Sequence, residues 1–212
     1  MRCGIGDTAL TGDPSGIGGT GKLTLIEGSN MRVLDDRYSR DWGRLNLALR
    51  FLMHEARTRT ICLWTGLTQD RIRGLYREYM SGAAGRIPRH RGKSPQTVAY
   101  FTRSVRVQQE TAVLASLLCL NGVVPATPAV ETGLPGLARG ARLCDAFEAY
   151  RSYVPSAQIS FEHTVFLTTV LVRGDQLRLD TCRICGSLVV VERFPIRDPQ
   201  CLHCAGAQRL RR

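Results

Sequence analysis

Two pairs of cysteines near the end of the chain constrain its fold more than any other feature. Cys182 and Cys185 form one CxxC motif, Cys201 and Cys204 form a second, and fifteen residues separate the two. Zinc prefers four soft ligands in a tetrahedron, and a gap of two residues lets both sulfurs of a tight turn reach one ion. The spacing therefore predicts a zinc ribbon that holds one ion per chain.

The residues between the two motifs are typical of such a ribbon. Gly186 follows the first pair, where a freely rotating backbone can fold N–H groups toward sulfur. Residues 188–191 (LVVV) read as a strand, and Pro195 and Pro199 end it before the second pair. Four cysteines leave no open coordination position, so the zinc is expected to be structural. His203 lies between two cysteine ligands and is expected to be an exposed tip residue.

Two disulfides or four unrelated thiols are the alternatives for these cysteines. Disulfides need an oxidising compartment, and the polar, glycine-rich start of the chain does not resemble a signal peptide. Cys62, Cys119 and Cys144 fall among apolar residues of predicted helices, where buried thiols are expected. A reducing cytoplasm suits both groups of cysteines, and the sequence predicts a cytoplasmic protein.

The net charge points to a class of partner. The 212 residues carry 29 Lys and Arg against 18 Asp and Glu, a net charge of +11 with a pI near 9.8. Most of the basic residues are arginine, which binds phosphate through two parallel hydrogen bonds. Together with a zinc ribbon this favours nucleic acid. A solvated basic surface, or an acidic partner subunit, would carry the same charge. The longest apolar run, residues 112–120, is too short to cross a bilayer, so no membrane is expected.

Apolar periodicity predicts a mainly α fold with three parts. Residues 1–30 are predicted to be a flexible tail, 31–173 a helical DNA-binding and oligomerisation domain, and 174–212 the zinc ribbon with short strands and a basic tail. Besides the helices discussed next, helices are expected over residues 97–120, around residues 143–150 and over residues 161–172, with a short strand at 177–179.

One pair of predicted helices has the outline of a helix-turn-helix. A helical pattern begins at Leu45 and continues to residue 63, and residues 65–67 interrupt it. Thr68 is the predicted N-cap of a second helix. The apolar stripe of that helix is Ile72, Leu75, Tyr76 and Tyr79, and the opposite face carries Gln69, Asp70, Arg73 and Arg77, with Arg71 at its edge. Such a face can enter a major groove, although an ordinary pair of packed helices with a solvated arginine face gives the same pattern.

A basic loop follows the second helix. Residues 86–93 carry four fixed cations and no acid, and glycine and proline interrupt them. Such a segment suits a loop along a phosphate backbone, or a hinge without a ligand. The candidate DNA contacts are Arg71, Arg73, Arg77, Arg86, Arg89, Arg91 and Lys93.

The order of these parts resembles FlhC, a subunit of the flagellar master regulator. The resemblance covers about residues 45–204. It is carried by residues 65–78 (TGLTQDRIRGLYRE), residues 91–95 (RGKSP), residues 146–150 (AFEAY) and the two CxxC pairs. CxxC pairs alone occur in many families, and their combination with the earlier segments is more specific.

The resemblance implies a bacterial transcription activator of flagellar genes, with a helical body and a C-terminal domain in which Cys182, Cys185, Cys201 and Cys204 hold zinc. It also implies a hetero-oligomer with an FlhD-type subunit, binding to promoter DNA and recruitment of RNA polymerase. The first thirty residues have no counterpart in the family, and the chain ends sooner after Cys204 than the family usually does.

Two other classes of function remain as alternatives. A nucleic-acid-processing enzyme would need clustered carboxylates or a nucleophile beside a base. The acids are scattered, with Glu148 and Glu162 on separate predicted helices, and none of the four histidines stands in a catalytic motif, so no enzyme activity is expected. A zinc-ribbon module that binds another protein without touching DNA is compatible with every motif above.

Overall fold

A computed structural model describes residues 29–79, 87–88, 90, 92–125, 135–195 and 198–209. The predicted tail therefore lies outside the described residues up to residue 28, and Ser29 already begins a helix. Three of the candidate DNA contacts, Arg86, Arg89 and Arg91, also lie outside the described residues, as do residues 210–212 of the basic tail.

The described residues form a mainly α fold with one two-stranded sheet, as the sequence predicted. The helices are α1 (Ser29–Met53), α2 (Thr58–Thr65), α3 (Gln69–Tyr79), α4 (Val105–Leu120), α5 (Leu137–Tyr153), α6 (Phe161–Arg173) and α7 (Leu202–Arg209). A 3-10 helix, Val98–Thr102, precedes α4, and the strands are β1 (Leu177–Thr181) and β2 (Leu188–Glu192). None of the described helices has the length and hydropathy that crossing a bilayer requires.

The predicted helix from residue 45 to residue 63 is broken in the structure. α1 ends at Met53, and α2 begins at Thr58. Between them Glu55 adopts a left-handed backbone conformation, φ 61°, and the N–H of Ala56 donates to Phe51 O at 2.9 Å. The apolar spacing continues across this break because both helices pack against the same core, so periodicity could not reveal it.

The turn between α2 and α3 agrees with the helix-turn-helix outline. Gly66, with φ 70°, ends α2, and its N–H donates to Cys62 O. The Thr68 hydroxyl accepts a hydrogen bond from the Arg71 N–H at 3.3 Å, so Thr68 is the N-cap that the sequence predicted. Ile72 and other residues of the predicted stripe are buried. Tyr79, the last residue of the predicted stripe, lies outside the core, because it is 57% exposed at the end of α3.

The predicted helix over residues 97–120 starts later than expected. Residues Val98–Thr102 form the 3-10 helix, and α4 begins at Val105 after Ser104, whose hydroxyl caps the N–H of Val107. The helix ends at Leu120, before Asn121 and the left-handed Gly122, as predicted. The serine cap fixes the start because it satisfies an N–H that has no partner within the helix.

The sheet joins the helical body, residues 29–173, to the cysteine region, which begins at Cys182 and ends with α7. β1 and β2 are antiparallel, with Leu177 opposite Glu192 and Thr181 opposite Leu188. Because side chains alternate along a strand, the sheet has two faces. Leu188 and Val190 pack against the main core, whereas Val189 and Val191 pack against the cysteines.

Candidate metal centre and nucleic-acid interface

The first CxxC pair forms a tight turn directly after β1. The N–H of Cys182 donates to Ser187 O at 2.8 Å, which continues the sheet pairing by one more residue. Gly186, with φ 71°, closes the turn by donating its N–H to Cys182 O at 2.9 Å. The sequence suggested N–H groups that point toward sulfur at this position. The Gly186 N–H instead donates to a backbone oxygen.

The second CxxC pair lies at the start of α7. Cys201 precedes the helix, and its sulfur accepts the N–H of Cys204 at 3.4 Å. The two turns are joined directly, because the N–H of Arg183 donates to Pro199 O at 3.0 Å. His203 is exposed between its two cysteine neighbours, as predicted. The helix α7 itself was not predicted from the sequence.

The fold brings all four sulfurs together. The Sγ atoms of Cys182, Cys185, Cys201 and Cys204 lie within 4.8 Å of one another, and those of Cys185 and Cys201 are 3.6 Å apart. A disulfide requires about 2.05 Å, so none of these pairs is bonded. Four sulfurs at about 2.3 Å from one ion would be about 3.8 Å apart, the edge of a regular tetrahedron. The donor set and its spacing therefore fit a metal ion.

Hydrogen bonds already favour the thiolate form at one side of the cluster. The N–H groups of Cys201, Cys185 and Ile184 lower the pKa of Cys182 to about 6. The N–H of Cys204 lowers the pKa of Cys201 in the same way. Cys204 differs, because hydrogen bonds with the sulfurs of Cys201 and Cys185 favour its protonated form and raise its pKa to about 12. Four neighbouring thiolates repel one another, and a cation between them removes that repulsion.

The cysteines outside the cluster differ from these four. Burial raises the pKa of Cys62 and Cys119, both half-buried, and raises that of the fully buried Cys144 to about 12. Protonated thiols of this kind behave as small apolar side chains. Cys62 and Cys119 are thus less buried than the sequence suggested. Cys3 lies outside the described residues.

Three arginines of α3 are exposed. Arg73 and Arg77 lie opposite the buried side of the helix, and Arg71 lies at the edge of that face. Arg73 forms an ion pair with Asp70 at 2.9 Å. α3 follows α2 after a three-residue turn, a connection of the length found in helix-turn-helix motifs.

The basic loop is fastened to the helical body beside α3. Tyr76 of α3 donates its hydroxyl to Ile87 O. His90 Nε2 lies 2.7 Å from Glu55 Oε2. Further along, Arg57 donates to Gly92 O, and Lys93 is exposed. The described residues of the loop therefore make contacts with the helical body at Ile87, His90 and Gly92.

The fold also creates a pocket with several titratable side chains that the sequence did not predict. A cavity of about 540 Å³ is lined by three histidines and three glutamates: His54, His90, His163, Glu55, Glu148 and Glu162. Two of these glutamates belong to separate helices, as expected, yet they face the same cavity. No local motif could have revealed it, because its residues come from four distant parts of the chain.

Two of the three glutamates in this pocket, Glu148 and Glu162, form contacts with neighbouring helices. Glu148 accepts hydrogen bonds from Arg50 at 2.8 Å and pairs with His54 at 2.9 Å. Burial opposes ionisation of Glu148, but these contacts outweigh it and lower its pKa. Glu162 accepts the N–H of Arg57 and the hydroxyl of Thr60. Both carboxylates thus connect helices: Glu148 of α5 to α1, and Glu162 of α6 to α2.

No protein-family model and no curated protein matches this chain. The function proposed below therefore rests on the residues of the chain itself and on the resemblance described above.

Proposed function

We propose that this chain is a DNA-binding transcription activator of flagellar genes, stabilised by one structural zinc ion and active in a hetero-oligomer with an FlhD-type subunit. The observation that carries the proposal is the pair α2 and α3. Their three-residue turn leaves α3 with one side in the core and with Arg71, Arg73 and Arg77 exposed.

The chemistry of these arginines supports contact with DNA. A guanidinium donates two parallel hydrogen bonds to the N7 and O6 edge of guanine or to a phosphate. The pairing of Arg73 with Asp70 is an exposed ion pair, which stabilises by at most about 1 kcal/mol, so a phosphate can replace it. The anchored loop next to α3 adds Lys93, and the net charge of +11 attracts the DNA at long range.

The cysteine cluster supports zinc as the bound metal. Four thiolates are soft ligands, and a tetrahedral set of four sulfurs is typical of structural zinc. Bound there, the ion would fasten residues 198–209 to the β1–β2 hairpin. All four positions are filled by protein, so the ion would leave no place for substrate, and we propose no enzymatic activity.

An exposed aromatic surface supports a partner subunit. Tyr38 is 75% exposed and Trp42 is 63% exposed, and the two are four residues apart on α1. Neighbouring exposed aromatic side chains are typical of protein interfaces. In this proposal the FlhD-type subunit covers such a surface, and the complex recruits RNA polymerase in the bacterial cytoplasm.

A mobility shift on flagellar promoter DNA tests the proposal, with and without the partner. The test variant is Arg71→Ala, Arg73→Ala and Arg77→Ala in one chain. Its matched control is Arg142→Ala, Arg151→Ala and Arg173→Ala, which removes three exposed arginines from α5 and α6. We expect the test variant to lose specific binding and to lower the log–log salt slope by about 2.7 in magnitude, since each phosphate contact contributes about 0.9.

The control variant should bind almost as the parent does. Equal losses in both variants would mean that only total charge matters, and would contradict recognition by α3.

A protein that binds its partner but has no affinity for duplex DNA would favour the alternative, a zinc-ribbon interaction module. Undiminished specific DNA binding by a zinc-free Cys185→Ser protein would contradict the structural role of the metal. Nuclease and ATPase assays should remain blank.

A further inference from the structure

A groove follows the free edge of β2. Its volume is about 910 Å³, and each of the six consecutive residues from Ser187 to Glu192 lines it. Successive side chains of a strand point to opposite faces, so a cavity that contacts all six residues lies along the edge of the strand. α4 lines one side of the groove, and residues 200–203 line the other.

The pairing of β2 with β1 shows which backbone groups face the groove. Cys182 N–H donates to Ser187 O, and Arg193 N–H donates to Gln176 O. In an antiparallel pair the bonded positions alternate, so Val189 and Val191 also bond toward β1. The N–H and C=O groups of Leu188, Val190 and Glu192 point the other way. Among the residues that the structure describes, none forms a hydrogen bond with them.

We propose that this groove binds an extended segment of another protein, which adds to the sheet as a third strand beside β2. An extended backbone can satisfy the three outward N–H groups and three outward C=O groups in register, which neither a helix nor a small molecule can do. Six residues of strand measure about 20 Å, which sets the length of the segment.

The walls of the groove define the side chains of the segment. On the face that Leu188 and Val190 share with the main core, the segment would contact Val113 of α4. On the opposite face it would contact Leu202 beside the cysteine cluster. The α4 wall combines apolar Ala112 and Val113 with uncharged polar side chains such as Thr111 and Ser116. Uncharged, β-branched residues, both valine and threonine, therefore fit at both sets of alternating positions.

Charge distinguishes the possible occupants. Glu192 is the only residue with a fixed charge among those described as lining the groove. A segment antiparallel to β2 that carries Lys or Arg near its N-terminus would place that cation beside Glu192. A second copy of this chain is disfavoured, because each copy carries a net charge of +11. The occupant is therefore an uncharged strand with one basic residue at its N-terminal end, from a different protein.

A synthetic peptide, Lys-Val-Thr-Val-Thr-Val with blocked ends and a fluorophore, tests the proposal on the protein as purified. We expect saturable binding with a dissociation constant below about 1 mM. Two further peptides carry N-methyl groups on alternate amides, one on the first set and one on the second. Only one edge of an added strand bonds to β2, so one methylated peptide should bind and the other should not. Binding by both, by neither, or no binding of the parent peptide would overturn the proposal.

Hydrogen exchange locates the bound peptide. In the free protein the amides of Leu188, Val190 and Glu192 should exchange faster than those of Val189 and Val191, which already bond to β1. Peptide binding should slow the first three at least tenfold and leave the other two nearly unchanged. Equal slowing of all five, or of none, would contradict strand addition.

Variants of the groove supply the remaining controls. Val113→Asp puts a charge into the apolar wall and should weaken binding at least tenfold, whereas Leu120→Asp on the same helix lies outside the groove and should not change it. Glu192→Lys should weaken the Lys peptide about two- to fivefold and favour a Glu analogue by a similar factor. Equal effects of the two Asp variants would overturn the location. Self-association of the free protein that the peptide reverses would identify a second copy as the occupant and would also overturn the proposal.

Discussion

The helical body and the cysteine region are held together by different means. Among the described residues, one cluster in the body buries 26 hydrophobic residues, whereas the cluster around the cysteines buries three, Cys182, Val189 and Cys204. Burial of apolar surface is the main favourable term in folding, so the body can be stable by itself. The cysteine region has too little core for that, and in the proposed function a metal ion bound by its four sulfurs takes the place of the missing apolar contacts.

The β1–β2 hairpin belongs to both regions. Leu177, Leu188 and Val190 face the helical core, so β2 keeps one apolar anchor whatever happens on its other face. Residues 198–209 have no such second anchor among the contacts described. Residues 198–209 should therefore unfold more readily than the helical body when a stabilising contact is removed. The expected effects below are ordered from the largest to the smallest.

Removal of the proposed metal ion should have the largest effect on stability, and that effect should be confined to the cysteine region. Cys182→Ser, or a strong chelator, should bring α7 and the second CxxC turn to exchange rates typical of unfolded chain, because zinc binding supplies on the order of 10–16 kcal/mol in small finger domains. α5 and α6 should remain protected. Hydrogen exchange with mass spectrometry measures both regions at once.

Cys119→Ser is the matched control for this experiment. It removes a half-buried thiol outside the cluster and should leave the exchange of α7 unchanged. Loss of protection in α5 and α6 together with α7 would mean that the two regions unfold as one unit, which would contradict the comparison.

Truncation of a buried aromatic side chain should lower the stability of the helical body, whereas truncation of an exposed one in the cysteine region should not. Phe161 is 2% exposed and packs against Phe51 with ring centroids 4.9 Å apart. Phe161→Ala should lower the free energy of unfolding by about 3–5 kcal/mol, because it removes buried area and leaves a cavity. Phe194→Ala in the cysteine region should change it by less than about 0.5 kcal/mol, since Phe194 is 81% exposed. Chemical denaturation of both variants gives the difference, and similar losses would contradict it.

The helical body also contains a buried glutamate whose contribution to folding stability depends on pH. Glu110 accepts hydrogen bonds from Tyr150 Oη at 2.5 Å, the N–H of Gln158 at 2.8 Å and Arg106 Nε at 3.0 Å. Burial alone would raise the pKa of Glu110, but these three donors outweigh it and lower the pKa. Its stabilising contribution is therefore complete above the unfolded pKa of about 4.3 and is lost as the pH falls through the lower, folded pKa.

Glu110→Gln should lower the free energy of unfolding at neutral pH by about 1.5–3 kcal/mol, since it removes the charge from these hydrogen bonds. The difference between variant and parent should shrink below about pH 4. Thermal or denaturant unfolding between neutral and acid pH measures it. A difference that stays constant over this range would mean that the ionised form of Glu110 contributes nothing.

Substitution of two helical glycines by alanine gives the smallest difference between the regions. We expect one substitution to lower stability and the other to raise it. A Cβ at Gly140 of α5 would lie 2.7 Å from Leu47 Cδ2, so Gly140→Ala should destabilise by about 1–3 kcal/mol. A Cβ at Gly206 of α7 would have nothing within 4 Å, so Gly206→Ala should stabilise α7 by about 0.5–1 kcal/mol. Local hydrogen exchange of α7 and global denaturation detect the two changes. The same sign in both would contradict the packing described.

Features that depend on neighbouring residues were predictable from the sequence. The CxxC pairs predicted the sulfur cluster because each pair is a local turn, and only the meeting of the two turns required the fold. The N-cap Thr68 and the stop of α4 before Asn121 were predictable for the same reason. In each case a short stretch of chain determines the geometry.

Features that depend on distant residues were not predictable. The break after Met53 carries no glycine or proline, and its left-handed residue is Glu55, so nothing local marks it. The pocket that contains His54 and His163 arises only when α1, α5 and α6 pack together. The free edge of β2 likewise depends on which strand pairs with it and on where α4 lies.

In the proposed function, a single ion bound by four sulfurs holds the C-terminal region together. X-ray absorption at the zinc edge, with elemental analysis of the same purified sample, tests it most directly. The expected result is about one zinc per chain, surrounded by four sulfur atoms at about 2.3 Å. Purified protein without metal, or with oxygen or nitrogen atoms in place of any of the four sulfurs, would contradict the claim.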